Sequence, residues 1–154
     1  MSVAQRLTND LKSAMVSGDV RRRDVIRFLR SAVKNAEIDR RRDLTDAEIE
    51  DVIRTQIKQR RDSVEMFRRG GRDELADEEE AQIVILLAYL PQQIDEQELR
   101  EIVRVQAEAL GVSGPRDMGR LMPALMAATN GRAEGRMLSQ LAREELERRS
   151  ASSN

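Results

Sequence analysis

The chain has 154 residues, 40% of them hydrophobic and 36% charged, with a formal net charge of −1 and neither Cys nor His. This length fits one large domain or two small ones. The missing Cys and His exclude disulfides, thiolate chemistry, and the commonest general base and metal ligand. No apolar run approaches the ~20 residues of a membrane span, and the N-terminus lacks a signal-peptide core. We therefore expect a cytoplasmic protein without membrane segment, metal or cofactor.

Apolar residues at helical spacing predict four helices in residues 1–91. Their starts and ends are marked by Ser2 and Gly18, by Asp19 and about Asp39, by Thr45 and Gly70-Gly71, and by Arg72 and Leu90-Pro91. Thr45 and Glu48 have the spacing of a capping box at the start of the third helix. Residues 83–88 would also fit a buried strand, but the acidic segment 73–80 before them favours a helix N-terminus.

Three further helices are predicted after the connection at residues 91–94. The fifth begins with a capping pattern at residues 95–98 and ends at Gly111. The sixth and seventh carry apolar stripes and are joined by a turn at residues 131–135. Pro123 predicts that the sixth helix either kinks at Met122 or begins there. The expected fold is all-α, with an N-terminal four-helix bundle at 1–91, a three-helix domain at 95–147 and a frayed tail at 148–154.

Charge is unevenly distributed, with net charges of +6 over residues 1–72, −9 over 73–112 and +2 over 113–154. Four basic residues of the second helix recur at i, i+4, i+7 and i+11 and form a ridge that could follow phosphates: Arg23, Arg27, Arg30 and Lys34. An ordinary solvated helix face explains the same pattern. The acidic run 77–80 does not converge on a metal, because consecutive helical residues point in different directions. No nucleophile–base pair is evident, and no catalytic residue is predicted.

Several short segments occur in an order and spacing that resemble a known family. They are Leu44-Thr45 with Glu48, residues 58–63 with Phe67, Gly70-Gly71-Arg72 with Leu75, Tyr89-Leu90-Pro91, residues 117–122 and residues 131–135. On these segments the chain resembles the GatB/YqeY family in its stand-alone YqeY-like form. The resemblance implies two helical domains, the second similar to the tail domain of the B subunit of tRNA-dependent amidotransferases.

The same resemblance implies a tRNA-binding or amidotransferase-associated module. It implies a family-level association with carbon–nitrogen ligase activity, with glutamine as amide donor, although the catalytic parts of those enzymes are absent. The expected partners are tRNA and an amidotransferase or aminoacyl-tRNA synthetase component. The expected RNA contacts lie on and around the turn before the seventh helix: Arg120, Arg132, Arg136 and Arg143.

A second hypothesis involves no nucleic acid. Four methionines of the C-terminal helices could form an adaptable groove for a partner helix, or could simply belong to the core: Met118, Met122, Met126 and Met137. This hypothesis describes a protein-interaction module.

Overall fold

The computed structural model describes residues 1–152, and this part of the chain forms seven α-helices and one 3₁₀ turn without any β-strand. The helices are α1 (Val3–Ser17), α2 (Val20–Arg40), α3 (Asp46–Arg69), α4 (Asp73–Leu87), α5 (Glu96–Leu110), α6 (Met118–Thr129) and α7 (Gly135–Ser152), with the 3₁₀ turn at Pro115–Asp117. The all-helical prediction is confirmed, and the apolar run that also fitted a strand lies largely in α4. No helix in the described residues is both long and apolar enough to cross a membrane.

Local hydrogen bonds explain where the helices begin. Ser2 and Thr45 each form a capping box. The side chain of the cap accepts from the N–H of the third helical residue, which is Gln5 after Ser2 and Glu48 after Thr45. The side chain of that third residue accepts in return from the N–H of the cap. The Asp95 carboxylate accepts from the Glu98 N–H at 2.8 Å and caps α5. At the other ends, Gly18 and Gly111 have φ angles of 75° and 65°, which end their helices as glycine readily does.

The contacts divide the chain into two compact units, one from Met1 to Leu90 and one from Pro91 onward. The N-terminal unit contains α1–α4 around a single aliphatic core that includes Ile26, Leu29, Ile53 and Leu86. The core is aliphatic because the chain has few aromatic residues, so packing depends on branched side chains from all four helices.

Tyr89 closes the N-terminal unit just after α4. It is 3% exposed, its O–H donates to the Asp10 carboxylate, and the Arg6 guanidinium lies 4.9 Å from its ring centroid. Burial, and then the Asp10 carboxylate, raise the pKa of Tyr89 to about 12. Arg6 also donates to the Ala88 carbonyl at 3.0 Å. These contacts join α1 to the segment that follows α4.

The C-terminal unit packs α5, α6 and α7 around Leu99, Leu121, Leu125, Leu141 and Leu146. Pro123 is exposed inside α6, which begins at Met118, so the helix does not begin at Met122; a kink at Met122 stays a prediction. Helix α7 continues to Ser152. Residues 148–152 are therefore helical, which corrects the predicted frayed tail; residues 153–154 lie outside the described part of the chain. Arg148 and Arg149 both bind Glu145, at 2.6 Å and 2.8 Å, and stabilise this last part of the helix.

Candidate ligand-binding cleft

A cleft of about 700 Å³ lies in the N-terminal unit, between α2, α3 and α4. It is lined by Val20, Arg21, Asp24, Val25 and Phe28 of α2, by Gln56, Gln59, Arg60 and Ser63 of α3, and by Glu78, Glu79 and Gln82 of α4. Its volume falls within the ~300–1,000 Å³ that is usual for ligand sites.

Helical periodicity brings these side chains to one place. On α3 the lining positions 56, 60 and 63 lie one and two turns apart, and so do positions 21, 24 and 28 on α2. Each helix thus contributes one mixed stripe beside its buried face, and the three stripes meet at the cleft. Gln56 lies on α3 between the buried residues Ile53 and Ile57, which places its amide against the core.

The formal charges of the lining are compensated by close partners. Arg21 makes a two-point contact with Glu78, at 2.9 Å from Nε and 2.7 Å from Nη2. The hydrogen bond from Arg21, and then one from Gln82, lower the pKa of Glu78 to about 2. Arg60 faces Glu79 at 3.4 Å.

The remaining acid of the lining is also paired. Asp24 accepts from the Nε of its chain neighbour Arg23 at 2.9 Å. The Arg60 guanidinium additionally donates to the Gln82 side-chain oxygen. Every charged side chain of the lining therefore has an oppositely charged partner.

Two polar atoms of the lining residues are buried without a hydrogen-bond partner among the described residues. They are the Gln56 side-chain oxygen, on a residue only 5% exposed, and the Arg60 Nε. A buried polar group without a partner costs about 1–3 kcal/mol, so native proteins rarely leave one. One is an acceptor and the other a donor, and the two residues lie one turn apart on α3.

Apolar surface adjoins these groups. Phe28 is 60% exposed, and Val20 is 54% exposed, although both line the cleft. The Arg60 guanidinium lies 5.8 Å from the Phe28 ring centroid. The arrangement can bind a neutral molecule that has both an apolar part and hydrogen-bonding groups.

The residues predicted to contact RNA lie in the C-terminal unit and do not form one cluster. Arg120 donates to the Leu110 carbonyl at 2.8 Å, at the end of α5. Arg132 donates to the Gln92 carbonyl at 3.0 Å, before the start of α5. One guanidinium thus contacts the last residue of α5 and the other the segment before α5, a helix of 15 residues that is about 22 Å long. Arg132 also lies before α7, which begins at Gly135, and not at its first turn.

The other two predicted residues belong to α7. Arg136 is half-buried in its first turn, and Arg143 is exposed two turns further on. Of the four methionines in the alternative hypothesis, Met118 and Met122 pack against the C-terminal core, whereas Met126 is 59% and Met137 37% exposed. The structure thus divides that stripe between core and surface.

The basic ridge of α2 is continuous in the structure. Its four members follow one side of the helix, away from the buried Val25, Ile26 and Leu29. Arg23 binds Asp24, the Arg27 Nη2 lies 3.8 Å from the Met15 sulfur, and Arg30 and Lys34 are exposed. The ridge lies on a different side of α2 from the cleft-lining positions 21, 24 and 28.

Sequence reasoning did not identify the cleft. One signal was present, because Gln56 interrupts the apolar stripe of α3 and a polar residue at a buried position often has a specific role. Phe28 and Arg60 gave no such signal. Within residues 1–152, no cluster of three or more acidic side chains is arranged to hold a metal ion.

The fold and the cleft together describe a helical protein with a ligand-sized site in its N-terminal half. The family described as Yqey-like protein matches residues 4–146, so the chain belongs to the YqeY-like family.

The chain is also similar to several fungal proteins named "Altered inheritance of mitochondria protein 41, mitochondrial". The protein from Pyrenophora tritici-repentis is 33% identical over 133 residues, which cover 85% of this chain and 73% of that protein. The protein from Lachancea thermotolerans is 41% identical over 87 residues, and the protein from Eremothecium gossypii is 35% identical over 85 residues. These two matches cover 56% and 54% of this chain, and the chain spans only 46% of each of these relatives.

These names correct two expectations. They contain no reference to tRNA or to an amidotransferase, so the predicted tRNA-binding or amidotransferase-associated function is wrong, together with its carbon–nitrogen ligase association. They describe the relatives as mitochondrial, so the predicted cytoplasmic localisation is also wrong. The residues proposed for RNA contact have the positions given above, and no observation tests the predicted partners.

Proposed function

We propose that this protein is a binding protein whose N-terminal unit holds a neutral ligand in the cleft between α2, α3 and α4. The observation that carries the proposal is the cleft itself, where the exposed apolar side chains of Phe28 and Val20 adjoin the polar side chains of Gln59 and Ser63. A ligand that covers Phe28 and Val20 would gain binding energy from the burial of their apolar surface.

The pairing of the charges supports a neutral ligand. An anion would compete with Glu78 for Arg21, and with Glu79 for Arg60. A cation would compete with Arg21 for Glu78, and with Arg60 for Glu79. Separating a two-point Arg–carboxylate contact loses two charge-assisted hydrogen bonds, which a neutral molecule leaves intact.

Binding without catalysis is the function that these groups support best. The chain has no His or Cys to act as general base or nucleophile in the cleft, and the cleft carboxylates Glu78 and Glu79 are in ion pairs. The relatives' name describes an effect on the inheritance of mitochondria and does not describe a reaction. We propose a binding role in the same process for this chain.

We further propose that the two compact units are separate domains, a four-helix bundle and a three-helix domain. The separate aliphatic clusters of the two units support this division. The resemblance of the second unit to the tail domain of an amidotransferase B subunit is proposed as a relationship of fold alone.

Nuclear magnetic resonance of the ¹⁵N-labelled full chain tests the ligand proposal. We expect a mixture of small neutral amides and alcohols to shift the resonances of Phe28, Gln56 and Gln82, and a mixture of nucleotides and sugar phosphates to leave them unchanged. Gln106→Met, in α5 of the other unit, is the control variant and should respond like the wild type. Shifts at the cleft caused only by the anionic mixture, or by neither mixture, would contradict the proposal.

A further inference from the structure

We infer that the basic ridge of α2, together with the apolar side chains at its two ends, binds the surface of a lipid bilayer that contains anionic lipids. The ridge lies on a different side of α2 from the cleft, and the inference does not depend on the proposed function. It starts from the charges of the ridge, which extend from Arg23 to Lys34 over about 16 Å of the helix.

Three of the four cations of the ridge have no ion pair. Arg27, Arg30 and Lys34 do not lie within 4.0 Å of any carboxylate in the described part of the chain. Other arginines of the same unit, in contrast, each bind a carboxylate: Arg21, Arg22, Arg40, Arg42, Arg60 and Arg68. The ridge therefore keeps its positive charge, which attracts a negatively charged surface.

The acids nearest to the ridge along α2 make contacts elsewhere. Residues 25–36 contain no acidic side chain. Asp24, before this segment, binds Arg23, and Glu37, after it, accepts from the Leu44 N–H at 2.9 Å. The face of α2 that carries the three unpaired cations thus has no acid to repel an anionic surface.

Exposed apolar side chains lie at both ends of the ridge. At one end the Met15 sulfur is 3.8 Å from the Arg27 guanidinium, and Val16 follows Met15 in the chain. At the other end Ile38 lies one turn after Lys34. Met15 and Ile38 are more than half exposed, and Val16 is almost completely exposed.

This arrangement fits a bilayer better than a nucleic acid or a protein. The phosphates of a nucleic acid would contact the cations and leave the apolar ends of the ridge in water. A protein interface has an apolar centre and a polar rim, whereas the ridge has its charges in the centre and its apolar residues at the ends. A bilayer surface accepts both, because the cations meet the headgroups while separate apolar side chains enter the boundary of the acyl chains.

Cosedimentation of the full chain with lipid vesicles tests the inference. One set of vesicles contains phosphatidylcholine alone, and a second also contains about 30% phosphatidylserine, which gives a negative surface potential. We expect the wild type to bind the second set about 10-fold or more tightly than the first. Binding to the anionic vesicles should weaken as salt is added, because salt screens the attraction.

Two variants with the same change in net charge identify the surface. Arg30→Gln with Lys34→Gln removes two cations of the ridge and should weaken binding to anionic vesicles about 25-fold, since each cation near such a surface contributes about 5-fold. The control, Arg116→Gln with Arg143→Gln, removes two exposed cations of the C-terminal unit and should weaken binding less than about 3-fold. Because all four residues are exposed, both variants should melt within about 2 °C of the wild type, which excludes misfolding as the cause of weak binding.

A third variant tests the apolar ends of the ridge and separates a bilayer from a nucleic acid. Val16→Ser with Ile38→Ser retains every charge and should weaken binding to anionic vesicles about 5-fold or more, because less apolar surface is buried. Any binding to a double-stranded oligonucleotide depends on the cations alone and should not change.

Four results would overturn the inference. The wild type could bind neither set of vesicles or bind both sets equally. The control variant could lose as much affinity as the ridge variant, or the serine variant could bind anionic vesicles as tightly as the wild type. If the ridge variant instead loses binding to the oligonucleotide while the wild type does not bind vesicles, the ridge is a nucleic-acid surface and the bilayer inference is wrong.

Discussion

At the scale of single residues, Tyr89 shows how one side chain combines packing, hydrogen bonding and charge. Its ring is buried beneath Arg6, and its O–H donates to a carboxylate that also faces Arg22 at 3.4 Å. A hydrogen bond to a charged acceptor in a buried position is worth more than an exposed one, because water cannot replace it. Tyr89 therefore stabilises the junction between α1 and the end of α4.

Replacing this tyrosine tests that contribution. We expect Tyr89→Phe to lower the free energy of unfolding by about 1–2 kcal/mol at pH 7, since the hydroxyl is lost while the ring still packs. The pKa of Tyr89 is raised to about 12 from 10.0, so the folded state retains this proton more strongly than the unfolded state. The stabilisation is complete below pH 10 and is lost as the pH rises towards 12.

Urea unfolding of the wild type and the variant from pH 8 to 12 measures both effects. The difference between the two proteins should shrink with rising pH, because only the wild type has this proton to lose. A constant difference across the range would show that the O–H contact with Asp10 does not contribute in this way.

The residue scale also shows what the sequence could reveal. The capping residues Ser2, Thr45 and Asp95 could be predicted, because a cap depends on groups within about four residues along the chain. The isolation of the Gln56 oxygen could not, because it depends on how α2 and α4 close around α3. The carbonyl partners of Arg120 and Arg132 were missed for the same reason, since they lie 10 and 40 residues away.

At the scale of helices, the start of α3 is held by several local contacts. Thr45 and Glu48 exchange hydrogen bonds of 3.2 Å and 3.0 Å. The Glu48 carboxylate also binds Arg40, the last residue of α2, and Arg42 in the connection that follows it. The hydrogen bond from Arg42, and then that from the Thr45 N–H, hold the pKa of Glu48 far below its usual range. One carboxylate thus fixes both the start of α3 and its connection to α2.

Two threonines of α3 allow a matched test. Thr45→Ala should lower the free energy of unfolding by about 1 kcal/mol, because the N3 amide loses its acceptor. Thr55→Ala, in the middle of the same helix, should change it by less than about 0.5 kcal/mol, because this exposed hydroxyl only bonds back to the Asp51 carbonyl. Chemical denaturation of the two variants distinguishes the roles. Equal losses would show that the cap is not what stabilises the start of α3.

At the scale of the whole chain, the buried side chains form two separate clusters, one in each compact unit. Leu86 belongs to the first cluster and Leu141 to the second, and both are almost completely buried. Truncating either side chain should therefore destabilise mainly its own unit. Clusters that share no residues transmit little of the cost of a cavity from one to the other.

Hydrogen exchange of the full chain measures this independence. Leu141→Ala should cost about 2–5 kcal/mol and speed amide exchange in α5 and α7, with little change in α3. Leu86→Ala should instead speed amide exchange in α3, with little change in α5 and α7. If either variant speeds exchange equally in both units, the chain opens as one cooperative structure and the two units are not separate domains.

The distribution of aromatic residues gives the two units different optical properties. Phe28, Phe67 and Tyr89 are the only aromatic side chains, all of them precede Pro91, and the chain has no Trp. Absorbance and emission in the near ultraviolet therefore come from the N-terminal unit alone, and Tyr89 contributes nearly all of the emission. Far-ultraviolet circular dichroism detects the helices of both units. A thermal melt followed both by Tyr89 emission and by far-ultraviolet circular dichroism would resolve which unit unfolds first, without any added label.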